Sequence, residues 1–574
     1  MNRFSTLMIG VFLMMGAQVN AQDFETATQA VKNMGVGWNL GNTLDANNGA
    51  KQGLESETYW GQPTTKPELM KMMKEAGFNT IRIPVTWYNH MDDDGKVNAA
   101  WMKRVHEVVD YVINQGMYCI VNVHHDTGDG TQWLHANTST YNSVKTKYEY
   151  LWKQIAEEFK DYSEKLLFES YNEMLDKYNS WCFATFNSPT GYVKGDAADA
   201  YEAINKYAQS FVDVVRGTGG NNAKRNLIVN TYGSCNGGGN WNTHLKDPLK
   251  EMKYPSDAVT GHIAFQVHAY PSIVNTDKNG NITNRPMADI KKEIDDMVSD
   301  LKNYLVAKGG PVIVGEWGTS NVDKAETDYA ARRDHLFQFV DYFVQKTKEN
   351  GMATIQWMGL SDGVFRSEPA FNQPDLAERI VKAYYGSSFE GKYPTINTSN
   401  DRTVFEGSQQ LEWGAAINIS GDLLSGIGED VKIQMTYDQN YSQFTGNDKY
   451  DDIQFFYGDW SAKPTSFIAD GTEMTGADFH PSDFYKTESG TSHVTTFSFN
   501  SSVMKTIFQK GLIIQGHGVL VKKVVLTTKS EPDGIQSILF SPEGDNKIYN
   551  LSGQRITNPK KGIYIRNGRK IVIR

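Results

Sequence analysis

Between residues 22 and 386 a short β-rich run, a polar loop and an amphipathic helical segment recur eight times, and this alternation restricts the possible folds more than any other feature. The strand-like runs fall at residues 35–40, 80–84, 119–123, 166–171, 227–230, 263–267, 312–315 and 354–357. Helical periodicity occupies, among others, residues 66–76, 101–115, 144–159, 198–216, 287–306 and 328–348. Repeated βα units call for a parallel sheet covered by helices, and eight of them in this length predict a closed (β/α)8 barrel, of the α/β class, rather than an open doubly wound sheet. The first run carries no GxGxxG turn, which argues against dinucleotide binding.

With 574 residues the chain is too long for one hydrophobic core, so further domains are expected. Residues 1–21 have a basic start at Arg3, an apolar run and small residues before Gln22, the pattern of a cleavable secretory signal too short to anchor in a bilayer. No later stretch is apolar enough to cross a membrane, and the expected location is secreted or cell-surface. After the barrel at 22–386 comes a linker at 387–400, dense in Gly, Pro, Ser, Thr and Asn. Alternating strands at 401–528 then predict a β-sandwich, and 533–574 a short basic β module. The formal net charge of −10 lacks the basic footprint that phosphate backbones require, so nucleic acid is excluded as the main partner. Three cysteines are too few for a disulfide framework; at least one thiol stays free, and Cys119 reads as a small core residue.

Strand ends in the barrel region carry the chemistry. Arg82 closes the second run, His124, His125 and Asp126 follow the third, Asn172 and Glu173 the fourth, His268 and Tyr270 the sixth, Glu316 and Trp317 the seventh, and Trp357 closes the eighth. A barrel gathers these ends on one rim. Two glutamates there suit glycoside hydrolysis, which needs a protonated acid for the leaving oxygen and an ionised carboxylate facing the anomeric carbon. The expectation is that Arg82 and the Tyr270 hydroxyl keep Glu316 ionised, while the charge of Glu316 and a dry pocket raise the pKa of Glu173. Asn172 would donate to a sugar 2-hydroxyl and Trp357 would floor the site. A metal site on His124, His125 and Asp126 with His262 and His268 is the weaker reading, because adjacent strand residues point to opposite sides; no metal and no cofactor is expected. Trp60, Trp87, Trp133, Trp181, Trp241 and Trp317 are candidates for sugar stacking, whereas Trp101 and Trp152 lie in helical patterns and read as core.

The segments Gly37-Trp38-Asn39-Leu40-Gly41-Asn42, residues 79–84, Asn122-Val123-His124-His125, Asn172-Glu173, His268-Ala269-Tyr270 and Gly315-Glu316-Trp317-Gly318 together resemble glycoside hydrolase family 5. The resemblance implies a retaining double displacement with Glu173 as acid/base and Glu316 as nucleophile. It also implies supporting and substrate-binding roles for Arg82, His124, His125, Asn172, His268, Tyr270 and Trp357, with Trp38 and Asn42 brought in by the first motif. Met174 departs from the proline usual after the acid, and residues 358–363 form a longer turn than many relatives have. The function so implied is a secreted, monomeric endo-β-1,4-glucanase acting on cellulose or related β-glucans. The alternatives are xyloglucan, mixed-linkage glucan or mannan as polysaccharide substrate, or, in a different class, a non-catalytic carbohydrate-binding protein. Ile548-Tyr549-Asn550-Leu551-Ser552-Gly553-Gln554-Arg555 with Lys561-Gly562-Ile563-Tyr564-Ile565 resembles the sorting domains of Bacteroidetes type IX cargo. For the sandwich the readings are a carbohydrate-binding module, with Trp413, Tyr457 and Trp460 as platforms, or a spacer.

Overall fold

The computed structural model describes residues 24–127, 133–180, 194–237, 247–278, 282–319, 329–396, 401–413, 415–424, 431–464, 466–476 and 478–527, and strand pieces at 548–549, 555–556, 562–566 and 569–573. The leader at 1–21, Trp181 and Trp241 lie outside the described residues. Eight parallel strands close a barrel: β1 (Val36–Asn39), β2 (Thr80–Ile83), β3 (Tyr118–Asn122), β4 (Leu166–Glu169), β5 (Leu227–Asn230), β6 (Ile263–Ala269), β7 (Val312–Trp317) and β8 (Ala353–Gln356). Each strand pairs with its sequence neighbours, and β1 pairs with β8. The predicted (β/α)8 architecture is therefore the one the chain adopts.

Alternation along these strands sorts side chains into two environments. Ile120, Leu167, Ile228, Ala264, Ile313 and Ile355 point inward and form an apolar layer inside the barrel. Helix α1 (Ala27–Asn33) plugs the bottom of that layer with Ala27, Ala30 and Val31, and Met34 follows from its C-terminal end. A capping box between Thr26 and Gln29 starts α1, so this seven-residue helix is fixed at its open end. Two residues further along the strands the inward positions become polar: Asn39, Arg82, Asn122, Glu169, Asn230 and Gln266, all fully buried. The outward side chains, including Trp38, Phe168, Phe265 and Val314, pack under the surrounding helices.

Downstream, a six-stranded and a four-stranded antiparallel sheet face each other across one apolar core. That core is not closed by the sandwich alone. Phe365 and Ala370, from the segment after β8, belong to it, while Arg366 between them donates to the Gly41 carbonyl (2.8 Å) and lies over the Trp38 ring. The barrel thus lends side chains to the sandwich at the loop that follows Trp357. Replacing Phe365 with Ala should destabilise the protein by about 3–5 kcal/mol, the usual cost of emptying a buried phenylalanine site. Urea unfolding of the full chain measures this; a change below about 1 kcal/mol would show that the junction collapses around the gap. Residues 548–573 form a separate small antiparallel sheet.

Candidate active site

Arg82 is the centre from which the polar layer is organised. Its guanidinium is wholly buried and forks onto Glu169, with Nε to Oε2 at 2.7 Å and Nη2 to Oε1 at 2.8 Å. The remaining donors reach Asn39 Oδ1 (2.9 Å), Asn172 Oδ1 (2.8 Å) and Glu316 Oε1 (2.7 Å). Asn122 and Asn230 each add a bond to Glu169 Oε1 at 3.1 Å. Arginine suits this post because its planar fork serves several oxygens at once and stays charged. Glu169 is held below its ordinary carboxylate range, the pull of Arg82 outweighing the desolvation that raises it.

Glu316 reaches the same cluster through an irregularity in β7. Val267 pairs with Val314, but His268 pairs with Glu316, so Gly315 is an extra residue in the ladder. A strict alternation that points Ile313 inward would send Glu316 outward; the bulge restores it to the interior. Gly315 leaves the space that the end of the Gln266 side chain occupies, and a Cβ there would oblige that side chain to move. Both oxygens of Glu316 then receive donors: Arg82 Nη1 on Oε1, and the Tyr270 hydroxyl on Oε2 at 2.7 Å.

Glu173 lies beyond the end of β4, with Oε1 2.8 Å from His268 Nδ1; the same nitrogen is 3.4 Å from Glu316 Oε2. Oxygens of Glu173 and Glu316 stand within 4.8 Å of one another. Burial pushes the Glu173 carboxyl up to about 7, the neighbouring Glu169 charge adding to it and Arg82 opposing. Burial lowers His268 to about 4. Glu316 is also raised by burial, but Arg82, His268 and the Tyr270 hydroxyl oppose the shift. Both acids are therefore raised by burial, Glu173 to about 7, and the expected cause needs correcting: Glu316 is not what raises Glu173. Desolvation comes first for Glu173, and the carboxylate that adds to it is Glu169.

A carboxyl that keeps its proton to about pH 7 inside the fold but loses it near 4.5 in the open chain has a consequence for stability. Between those values the folded form holds more protons, so stability falls as pH rises through the window and levels off above it. Glu173→Gln removes this penalty. Its melting temperature should exceed the wild type's by more at about pH 8 than at about pH 5, and an equal difference at both would contradict the assignment.

His124 lies parallel to Trp357 at 5.9 Å between ring centres, and its Nδ1 is 3.0 Å from Asn122 Nδ2. Burial holds it neutral. Gly41 lets Trp357 lie flat, because a Cβ there would approach the indole to 2.9 Å. His125 sits at the rim, with Asp45 Oδ2 3.7 Å from Nε2 and the edge of Trp60 against its ring. Among the described residues, Asp45, His124 and His125 form one set of three close donors, and Glu173, His268 and Glu316 another. Asp45 already accepts from the Asn42 and Thr43 backbone N–H groups. Asp126 turns away to Trp87 N and Trp133 Nε1, so the His124-His125-Asp126 run does not converge on one point.

Arg82, His124, Asn172, Glu173, His268, Tyr270, Glu316 and Trp357 thus come together. Trp38 and Asn42 do not. Trp38 is fully buried beneath the helices, its strand position pointing away from the interior. Asn42 adopts a left-handed turn conformation (φ 59) that brings its N–H to Asp45. Of the stacking candidates among the described residues, Trp87 and Trp317 are buried, Trp133 is half-buried and Trp60 is exposed. Glu169, Asn39, Asn122 and Asn230 were not singled out as functional from the sequence. Strand parity was the signal available, since each lies two residues after an inward apolar position or beside such a row.

Two carboxyls with oxygens within 4.8 Å of each other at the strand ends of a closed barrel form the arrangement of a glycoside-hydrolysing barrel enzyme. The profile of the cellulase family, glycosyl hydrolase family 5, matches residues 44–362, and the chain belongs to that family. Endoglucanase A of Paenibacillus barcinonensis is 36% identical over 391 residues, which cover 62% of this chain and 89% of that protein. A GH5-4 broad-specificity endoglucanase from an uncultured bacterium is 60% identical with a TM-score of 0.60, covering 64% of this chain and 98% of that one. A family 5 enzyme from Prevotella bryantii B14, solved as a mutant in complex with a xyloglucan tetradecasaccharide, is 40% identical with a TM-score of 0.56, over 63% of this chain and 99% of that one.

Proposed function

We propose that the protein is a retaining endo-β-1,4-glucanase in which Glu316 attacks the anomeric carbon and Glu173 protonates the leaving oxygen. The observation that carries the mechanism is the separation of under 4.8 Å between carboxyl oxygens of the pair. Inverting enzymes keep their acids about 6.5–9.5 Å apart to admit a water, whereas retaining ones hold them near 5 Å. In the first step Glu316, its oxygens aligned by Arg82 and Tyr270, forms a glycosyl ester as Glu173 delivers its proton to the departing sugar. In the second, Glu173, now ionised, takes a proton from water, which attacks the same carbon and releases Glu316. Asn172, its carbonyl oxygen held by Arg82, has its N–H group left to donate to the 2-hydroxyl. Trp357 offers a flat apolar face beneath the ring. Activity should fall as pH rises through about 7, where Glu173 loses its proton.

The substrate reading is a β-1,4-glucan backbone with tolerance for side chains, supported by relatives named as endoglucanases, by one described as broad in specificity and by the neighbour solved with xyloglucan. Hydrolysis of carboxymethyl cellulose, xyloglucan, lichenan and mannan by the purified protein, with mass spectrometry of products, tests it. Release confined to mannan would remove the reading. We further infer that residues 1–21 export the chain and that the 533–574 segment serves as its sorting signal. The leader's basic and apolar pattern and the tail's motifs support this, and the mature termini of secreted protein would test it.

A further inference from the structure

One strand pair in the sandwich, Asp452–Tyr457 against Leu512–His517, has two unlike sides. Ile453, Phe455, Leu512 and Ile514 fill the shared core. Their alternates face the other way in three cross-strand rows: Asp452 beside His517, Gln454 beside Gln515, Phe456 beside Ile513. This outward side is not an ordinary solvated face, because its polar members are sunk to within a tenth of full burial.

The most exposed tryptophans among the described residues stand at the two ends of these rows. Trp413, 51% exposed, lies parallel to the His517 ring at 6.4 Å. Trp460, 52% exposed, packs on Phe456 at 5.0 Å. It is held there by a left-handed backbone (φ 59) that a bulky side chain seldom adopts. In the row of His517 lies Asp452, 3% exposed, whose Oδ2 accepts from Gln454 Nε2 of the middle row at 2.6 Å while its Oδ1 accepts no hydrogen bond. His480 Nδ1 stands 3.9 Å from Oδ1, beyond hydrogen-bond reach. A buried carboxylate oxygen without a donor is costly and calls for one from outside the fold.

We propose that this face is a second, non-catalytic site for a β-linked glucan chain, with Trp413 and Trp460 stacking on sugar rings and Asp452 and Gln454 bonding sugar hydroxyls. Flat apolar ring faces alternating with donor hydroxyls match indoles at both ends and acceptors in the rows. An acidic polysaccharide fits poorly, since Asp452 and the adjacent Asp478 would repel it. Tyr457, by contrast, turns toward the core side and offers no platform. The choice of a glucan rests on the endoglucanase reading; the place of the site does not.

The test uses the full chain carrying Glu316→Gln, so that polymer survives, in native gels containing hydroxyethyl cellulose. Trp413→Ala and Trp460→Ala should each weaken retardation roughly tenfold, and Asp452→Asn with Gln454→Leu should act in the same direction. In the otherwise wild-type chain the tryptophan variants should hydrolyse soluble cello-oligosaccharides at the unaltered rate. Unchanged retardation overturns the proposal, as does loss of oligosaccharide hydrolysis, which would place the indoles' effect in the barrel. Retardation by polygalacturonate instead of hydroxyethyl cellulose also overturns it. A chain that binds through these indoles yet hydrolyses no β-glucan would contradict the activity and leave the site standing.

Discussion

Glu316→Gln folds as the wild type does and loses on the order of 10⁴-fold or more in kcat on β-glucan, the scale seen when a covalent nucleophile is removed. The amide keeps the size and still accepts from Arg82 through its oxygen, so the loss is chemical. No pair of electrons of comparable basicity faces the anomeric carbon. Glu173→Gln gives a different pattern, and the contrast assigns the roles. Without its proton donor the enzyme fails on polysaccharide, whose leaving sugar is a poor one. It still forms the glycosyl ester from an aryl glycoside whose phenolate departs unaided, and a burst of phenol reports it. A burst from Glu316→Gln and none from Glu173→Gln would exchange the two assignments.

The second large effect belongs to a residue outside the reacting pair. Glu169→Ala strips Arg82 of its two-pronged partner and leaves a guanidinium with no exposure beside a cavity. Removing one member of a buried pair costs about 3–5 kcal/mol because the other charge stays desolvated. The same change frees Arg82 to shift toward Glu316, so kcat should drop as well, although Glu169 is not among the sugar-facing groups. Arg82→Lys should fare little better, since an ammonium cannot serve Glu169, Asn39, Asn172 and Glu316 together. Urea denaturation alongside kcat measures both consequences. A Glu169→Ala protein with wild-type stability would show that the polar layer is held by its amides rather than by this pair.

The barrel could be read ahead of the structure because its signals are local. Apolar runs of four to seven residues and intervening helical periods mark each element, and the strands begin and end within a few residues of those runs. The acids at strand ends were equally plain, since a charged residue closing an apolar run stands out. What escaped were facts of register. Whether Trp38 faces the interior or the helices depends on strand phase, which a four-residue strand barely declares. Glu169 reads as part of an apolar strand until parity sets it beside Asn122 and Asn230. The bulge at Gly315 breaks the very periodicity from which direction is inferred, so the sequence placed Glu316 at the rim without showing how the strand turns it inward. The plug formed by α1 and the loan of Phe365 to the sandwich core are contacts between distant segments, and hydrophobic pattern marks such residues as buried without saying against what.

Proton NMR of the first products from a β-linked oligosaccharide, recorded before mutarotation, tests the pairing of the two carboxyls most directly. Release of the β-anomer follows if Glu316 forms an ester and water attacks the same face under Glu173. Initial release of the α-anomer would mean that water acts in a single displacement, and the close opposition of these acids would then have some other purpose.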